Sequence, residues 1–449
     1  MSHPASRPTR KRRGFLLAAT ATAAALTLAA CAQGDATAAT DKPSSAPTET
    51  GPVTIRFSWW GSDTRHELTQ KVIDAFEEEH PNITVQGDFS AWGGYWDKLA
   101  TSVAAKDAPD VITQEERYLR DYATRGVLLD LASVSDTLGT SDIDPSVVDT
   151  GVVDDAMYGV PTGVNVYAVL ADPAAFAAAG IEMPDDTTWT WDDYAEIAEA
   201  ITKNTGGTVH GAQDFAFNEP GFSIYARQQG QALYNEDGTL GYDDALLAEW
   251  WTRTLEIMKA GGEPDAAKSV EVDGAGPEGS LLGTNTGAMS QFWSNQLGAI
   301  STASGKDLTL LRFPGESESD RTGMYFKPAM YYSISAGSEH PQAAAQFIDF
   351  LVNSEAAGEL LLSDRGLPAN LKVREAVTPL FASTDKQAAE FLADLQDEIV
   401  DPVAVPPVGS GEVVNIIKRL TAEVLFERMT PEEAAAQFTS EVKTATGLS

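Results

Sequence analysis

The residues best equipped for chemistry in this chain are flat aromatic rings and planar polar groups gathered near the ends of predicted strands. Trp59 and Trp60 close one strand; Trp92 follows the next, with Tyr95 and Trp96 just beyond it. Gln114, Glu115 and Glu116 follow a third, and Asn165 and Tyr167 sit in a β-like run over 164–170. Phe222, Tyr225 and Arg227 share an aromatic-rich stretch, Trp293 lies in SQFWSN, Tyr331 and Tyr332 in MYYSIS, and Arg365 precedes Gly366-Leu367-Pro368. A polyhydroxylated ligand offers apolar C–H faces and a rim of hydroxyls that both donate and accept. Its site needs aromatic platforms together with carboxylates, amides and guanidinium groups that leave no buried hydrogen bond unmade. Trp293, Glu115, Asn165 and Trp92 stand foremost in this set.

Each of these residues also has a packing role open to it, because aromatics beside strands commonly belong to the core. Trp96, Trp191, Trp250 and Trp251 fall on helices and read as core. Strand alternation allows only one of Trp59 and Trp60, and one of Tyr331 and Tyr332, to face a given side. Glu116 could pair with Arg117 or Arg120, and Arg365 could cap a helix C-terminus. Other chemistries lack their signatures. His3, His66, His80, His210 and His340 are scattered without an H-E-x-x-H, so a zinc hydrolase is not expected. No G-x-x-x-x-G-K-[ST] occurs. In NEDGTLGYDD the position that a calcium loop reserves for its first carboxylate is Leu233, so a turn between two strands with Asp237-Gly238 at its tip is expected instead. No cofactor and no metal are expected.

The elements that position these groups are strands and helices in alternation. Val53–Trp59 reads as a strand, and Asp63–Glu79 as a helix with Leu68, Val72, Ile73 and Phe76 on one face, stopped by His80-Pro81. Ile83–Phe89, a helix over Trp96–Ala105, and a short strand ending at Asp110–Thr113 follow. Units of this length imply right-handed parallel crossovers and hence an α/β sheet. Two β-like runs, Ala156–Val160 and Val164–Leu170, break the pattern. Thr190 can cap a helix with Asp193 at its third position, and helices are predicted over 243–260, 341–363, 385–400, 411–428 and 431–445.

The N-terminus reads as an address. Arg10-Lys11-Arg12-Arg13 precedes the uncharged apolar run Gly14–Ala30, too short for a membrane span and suited to a secretory signal over residues 1–30. Leu28-Ala29-Ala30-Cys31 resembles a bacterial lipobox, in which the cysteine is lipidated and becomes the new N-terminus. Arg12-Arg13-Gly14-Phe15-Leu16 resembles a twin-arginine signal. Residues 31–50, small and polar, read as a flexible tether. Acidic residues outnumber basic ones 66 to 31 in the 449-residue chain, and the five basic residues before Cys31 would leave with the signal, giving 26 against 66 and a charge of −40. Such a body is repelled by phosphate backbones, so no nucleic-acid partner is expected. Cys31 is the one cysteine, which excludes an intrachain disulfide and a Cys-based metal cluster.

An ordered set of segments resembles a known family: AFEEEHPNITV, YWDKLATSVAAKDAPDVI, MYGVPTGVNVYAVLADPAAFAAAGI, TWTWDDYAEIAEAIT, GAMSQFWSN and FIDFLVNSEAAGELLLSDRGLPAN. Together they are similar to the extracellular sugar-binding lipoproteins of ABC importers, related in fold to maltose-binding protein. The resemblance spans roughly 51–445 and implies a two-lobed α/β, periplasmic-binding-protein-like fold with a mostly parallel sheet in each lobe. It places 51–163 with 314–368 in one lobe and 168–312 with 369–449 in the other, joined by crossings near Gly163-Val164-Asn165, Pro314 and Leu367-Pro368. It implies a monomer anchored through Cys31 to the outer face of the cell membrane, a carbohydrate ligand held between the lobes, and the permease subunits of an importer as partners. A secreted glycoside-active enzyme is the competing class. It would need two carboxyls roughly 5 to 9.5 Å apart across one bond. The same scaffold carrying a polyamine, an anion or ferric ion is a third.

Overall fold

Ile55, Phe57 and Trp59 alternate along one strand and are completely buried, so the first sheet forms around them. In the computed structural model, residues 51–61, 63–319, 322–399 and 401–448 are described. The signal over 1–30, Cys31 and the tether lie outside them. The chain begins β1 (Val53–Trp60), α1 (Asp63–Glu79), β2 (Ile83–Ser90), α2 (Trp92–Ala104), β3 (Val111–Gln114) and α3 (Glu116–Thr124). Both β2 and β3 pair parallel with β1, in registers Ile55↔Val85 and Phe57↔Val111. The predicted strand–helix order is therefore present; α2 starts at Trp92, four residues before its expected start.

Next come β4 (Val160–Pro161), β5 (Gly163–Asn165) and β6 (Tyr167–Ala171). The expected run 164–170 divides between β5 and β6, whereas 156–160 is not one strand, because Ala156–Met157 pairs back on Val152–Val153 and only Val160 enters β4. They are followed by α4 (Trp191–Asn204), β7 (His210–Ala212), α5 (Glu219–Gln228), β8 (Ala232–Tyr234), β9 (Leu240–Gly241), α6 (Asp244–Ala260), β10 (Gly287–Trp293) and β11 (Thr309–Leu311). Thr190 and Asp193 form the predicted capping box on α4, and the turn between β8 and β9 has Gly238 at φ 81°. The last part holds β12 (Lys327–Pro328), β13 (Tyr331–Ile334), α7 (Pro341–Asn353), α8 (Glu355–Leu361), β14 (Leu367–Pro368), α9 (Leu371–Val377), α10 (Ser383–Asp394), α11 (Val413–Leu425) and α12 (Pro431–Thr446). The long helix predicted over 341–363 divides at Ser354, whose extended backbone (ψ 130°) ends α7 and starts α8.

The first sheet has the order β2-β1-β3-β13-β4 and the second β11-β6-β10-β7. Both are mixed, where the resemblance implied mostly parallel sheets. The cause is the crossing: β13 returns from the other lobe and enters the first sheet from the opposite end, antiparallel to β3, and β6 runs antiparallel to β10 and β11. Three strands pass between the lobes as a small sheet, β12-β5-β14, with Asn165 opposite Lys327 and Val164 opposite Leu367. At Gly163 a Cβ would lie 2.3 Å from the Arg365 carbonyl oxygen, so only glycine lets these backbones approach so closely. The second crossing therefore sits at 327–328 and not near Pro314. Pro314 and its neighbours are instead held on the second sheet's side: Gln228 Nε2 donates to the Pro314 carbonyl (3.0 Å), and Gly315 N to that of Trp189 (2.9 Å). Toward the C-terminus, Asn370 at the start of α9 donates to Asn353 at the end of α7, while α10 to α12 pack on the second sheet's helices and strands.

Two buried acidic features give this fold a definite pH response. Thr254 Oγ1 lies 2.8 Å from Asp214 Oδ2 and 3.0 Å from Glu263 Oε2. One hydroxyl proton cannot serve both carboxylates, so a further proton belongs to the pair. Burial pushes Asp214 up to about 6; burial, and then the Asp214 charge, hold Glu263 well above the carboxylate range. Burial likewise pushes Glu316, which accepts from Gln228 and Gly323 N, up to about 7. Raised folded-state values mean that the folded chain binds protons more tightly than the unfolded one. Their stabilisation is complete below the ordinary carboxylate range and is lost as pH rises through about 6 to 7. Urea unfolding should show stability lower at pH 8 than at pH 5 by on the order of 2 kcal/mol, with a shallower slope in Glu263→Gln. A flat or rising profile over that interval would refute the shared-proton account.

Candidate functional site

Trp293 is the last residue of β10 and stands between two rings: Tyr167 at 5.0 Å and Tyr325 at 6.3 Å, both near edge-on. The Lys327 ammonium, on crossing strand β12, lies 5.6 Å from the indole centroid. Across from this aromatic wall is the start of α3. Glu115 caps that helix, its carboxylate accepting from Arg117 N (3.0 Å) and pairing with Arg117 Nε (3.3 Å). Glu116 pairs with Lys327 at 3.1 Å. On α5, Glu219, Ser223 and Arg227 recur every four residues and so share one helical face. Together with Tyr234, Trp293 and Tyr325 they line a cavity of about 680 Å³ that Glu116, Arg117 and Lys327 close from the other side. That volume lies within the usual range for small-molecule sites.

The electrostatics follow from burial. Burial raises the pKa of Glu115, against the pull of Lys327, and raises that of Glu219 as well. Burial works against the Arg117 charge, but Glu115, Glu116 and Glu219 together raise its pKa. Arg227 is almost fully buried and spends its guanidinium on the carbonyls of Gly323, Pro402 and Asp401, at 2.9 to 3.1 Å. These bonds hold the irregular segment 401–408, which then runs over to the first lobe. There Val405 joins the hydrophobic cluster of Trp60, Tyr95 and Met330, and Arg120 of α3 donates to the carbonyls of Val405 (3.4 Å) and Glu236 (3.2 Å). Two lobes are thus strapped together beside the cavity. Val405→Ser, which sets an unpartnered hydroxyl among rings, should release the strap. We expect the radius of gyration in X-ray scattering to rise and ligand affinity to fall roughly tenfold, about 1.4 kcal/mol. Unchanged scattering and affinity would deny the strap any part in closure.

Of the residues expected from sequence, the cavity wall contains Trp293, Glu116 and Arg227, with Glu115 and Tyr167 directly behind it. Gln114 and Asn165 are buried beside it in strand order; both polar atoms of the Gln114 amide and Oδ1 of Asn165 have no hydrogen-bond partner among the described residues. The others do not line it. Trp59 is core beneath Phe57, and Trp60 is buried under Trp92, Tyr95 and Trp96. Trp92 is 42% exposed on the outer edge of that cluster. Phe222 and Tyr225 face α6, where the Tyr225 hydroxyl reaches Glu249 (2.5 Å). The Tyr331 hydroxyl donates to the Thr150 carbonyl (3.1 Å), and Tyr332 packs its edge on Phe57, so both are buried outside the lining of this cavity. Arg365 is 3% exposed and donates to Thr69 and Asp364, well occupied without a ligand and not capping a helix. Trp191, Trp250 and Trp251 are core as expected. Sequence reasoning missed Arg117, Glu219, Tyr234, Tyr325 and Lys327. Lys327-Pro328 just ahead of the paired tyrosines, and Glu219-Pro220 at a helix start, were the available signals.

Among the described residues no group of three or more His, Cys, Asp or Glu side chains could hold a metal ion, and no helix is long and apolar enough to cross a membrane.

Comparison with known proteins agrees with this architecture. A lipoprotein of Streptomyces antibioticus without assigned function is 27% identical over 331 residues, covering 71% of each chain. The diacetylchitobiose-binding protein of Streptomyces coelicolor is 22% identical over 355 residues, covering 77% of this chain and 76% of its own. In structure, a family 1 extracellular solute-binding protein from Alicyclobacillus acidocaldarius superposes with a TM-score of 0.75 and 28% identity, covering 88% of this chain and 99% of that one. The family model for bacterial extracellular solute-binding proteins matches residues 61–358. With two lobes, three crossing strands and a walled cavity between them, the chain belongs to the bacterial extracellular solute-binding proteins, a family of binding proteins and not of enzymes.

Proposed function

We propose that the protein is a lipid-anchored extracellular receptor that captures a sugar or oligosaccharide between its lobes and delivers it, unaltered, to the permease of an ABC importer. The observation that carries this reading is the composition of the cavity wall. Three rings, Trp293, Tyr234 and Tyr325, face the same space as planar carboxylates and an arginine, the pairing that C–H faces and hydroxyls require. The named ligand of the Streptomyces coelicolor relative, a disaccharide, supports the same class. The lobes would part at the crossing strands 163–165, 327–328 and 367–368, and ligand touching both would favour the closed arrangement. Lipobox-like Leu28–Cys31 supports the anchor, and monomeric action suffices because one chain supplies both walls.

Calorimetry against a panel of neutral oligosaccharides tests the proposal. Saturable binding with no release of reducing ends is expected; absence of binding to every sugar, or release of product, would overturn it. The anchor is tested separately: Cys31→Ala should move the protein from the membrane fraction to the medium, and retention in the membrane would refute lipidation.

A further inference from the structure

We infer that the site selects oligosaccharides that carry no carboxylate, and that Glu219 is the residue that enforces this. The inference rests on the carbohydrate reading above. Four carboxylates, Glu116, Glu219, Glu236 and Asp237, line the cavity against three cations, Arg117, Arg227 and Lys327. Each of those cations is already engaged. Lys327 pairs with Glu116, Arg117 with Glu115, and Arg227 is buried with its nitrogens on three backbone carbonyls. A uronate entering the cavity would meet cations whose charge Glu116 and Glu115 already balance, so it would gain little attraction from them while adding one more negative charge to a wall that already carries an excess.

Glu219 is placed differently. It opens α5 and lines the cavity; its carboxylate has a backbone hydrogen bond at Glu219 itself and feels the charges of Arg117 and Lys327, but among the described residues no other side chain hydrogen-bonds to it or forms a close ion pair with it. The helix N-terminus favours its charge, and burial works the other way. It is thus an acceptor held ready for donors. A sugar hydroxyl or a protonated amine satisfies it, whereas a second carboxylate is repelled by it at close range. Glu236 and Asp237, on the turn between β8 and β9, add negative charge at the same wall.

The test uses matched pairs: maltotriose, cellotriose and N-acetylchitotriose, each with its C6-oxidised form, and deacetylated chitotriose as the amine. For whichever trisaccharide binds, the oxidised form should bind about 100-fold more weakly at low salt, and the gap should narrow in high salt. The amine should bind no more weakly than its acetylated parent. In Glu219→Gln the gap should fall to about tenfold or less, with the neutral sugar's affinity changed less than the oxidised sugar's. An oxidised sugar that binds as tightly as its parent, or a gap left untouched in a Glu219→Gln protein of unaltered melting temperature, would overturn the inference while sparing the carbohydrate reading. If Glu219→Gln does not fold, Glu219→Ser takes its place in the same comparison, with the same gap expected to shrink. Binding of neither neutral, amine nor acidic sugars would overturn both.

Discussion

Trp293→Ala should weaken oligosaccharide binding by about 100-fold, near 2.7 kcal/mol, while lowering the melting temperature by only a few degrees. The two effects separate because of where the ring lies. Its backbone closes β10 in register with Tyr167, so the strand survives truncation. The indole itself is half-buried, touching Tyr167 and Tyr325 edge-on and leaving a face to the cavity. A large rigid ring that is already positioned contributes area to a sugar's C–H face at little entropic cost. Alanine would also remove the surface over which Lys327 sits, freeing that ammonium to shift from Glu116. Calorimetry and thermal melting on one preparation check both halves. A collapse in stability with affinity intact would make Trp293 a core residue and would remove the central argument for a sugar site.

Much of the frame was readable from periodicity. Leu68, Val72, Ile73 and Phe76 marked α1 with its true ends, and Thr190 with Asp193 marked the cap of α4, because local spacing alone determines such features. The crossings were only partly readable. Gly163 and Leu367-Pro368 have a local signature, but the middle passage at Lys327-Pro328 is two residues long, and its pairing partner Asn165 lies far away in the chain. The site shows the same division. Trp293 could be picked out because it ends a strand. Tyr331 and Tyr332 look identical in type and position, yet one is spent on the Thr150 carbonyl and the other on Phe57. Glu219 and Arg117 were invisible for the converse reason: each begins or lies near the start of a helix, where a carboxylate or a paired arginine usually has a local explanation. Only the tertiary approach of α3 to α5 turns them into one wall. Which side of a helix faces the other lobe is set by contacts across hundreds of residues, and no local pattern records it.

The network around Arg365 yields the largest expected effect on stability. Two arginines share one carboxylate there: Arg65 Nε and Arg365 Nε lie 3.0 and 3.1 Å from Asp364 Oδ2. Arg65 also reaches the Asp364 carbonyl (2.8 Å), and Arg365 reaches Thr69 of α1. Burial, and next the charge of Arg365, lower the pKa of Arg65, and the aspartate between the two arginines works the other way. Asp364→Asn removes that anion and leaves a buried guanidinium beside a second one. The cost should be about 3 kcal/mol, toward the low end for an orphaned buried charge because Asp364 retains some exposure. Adding Arg365→Met should recover about 2 kcal/mol of it, since the remaining arginine at position 65 is partly exposed and methionine fills much of the vacated space. Urea midpoints of the wild type, both single variants and the double variant form the required cycle. If the two substitutions simply add, the arginines do not compete for Asp364. If Arg365→Met alone abolishes sugar binding without altering stability, Arg365 is a ligand contact after all, and the crossing between the lobes must be held by something else.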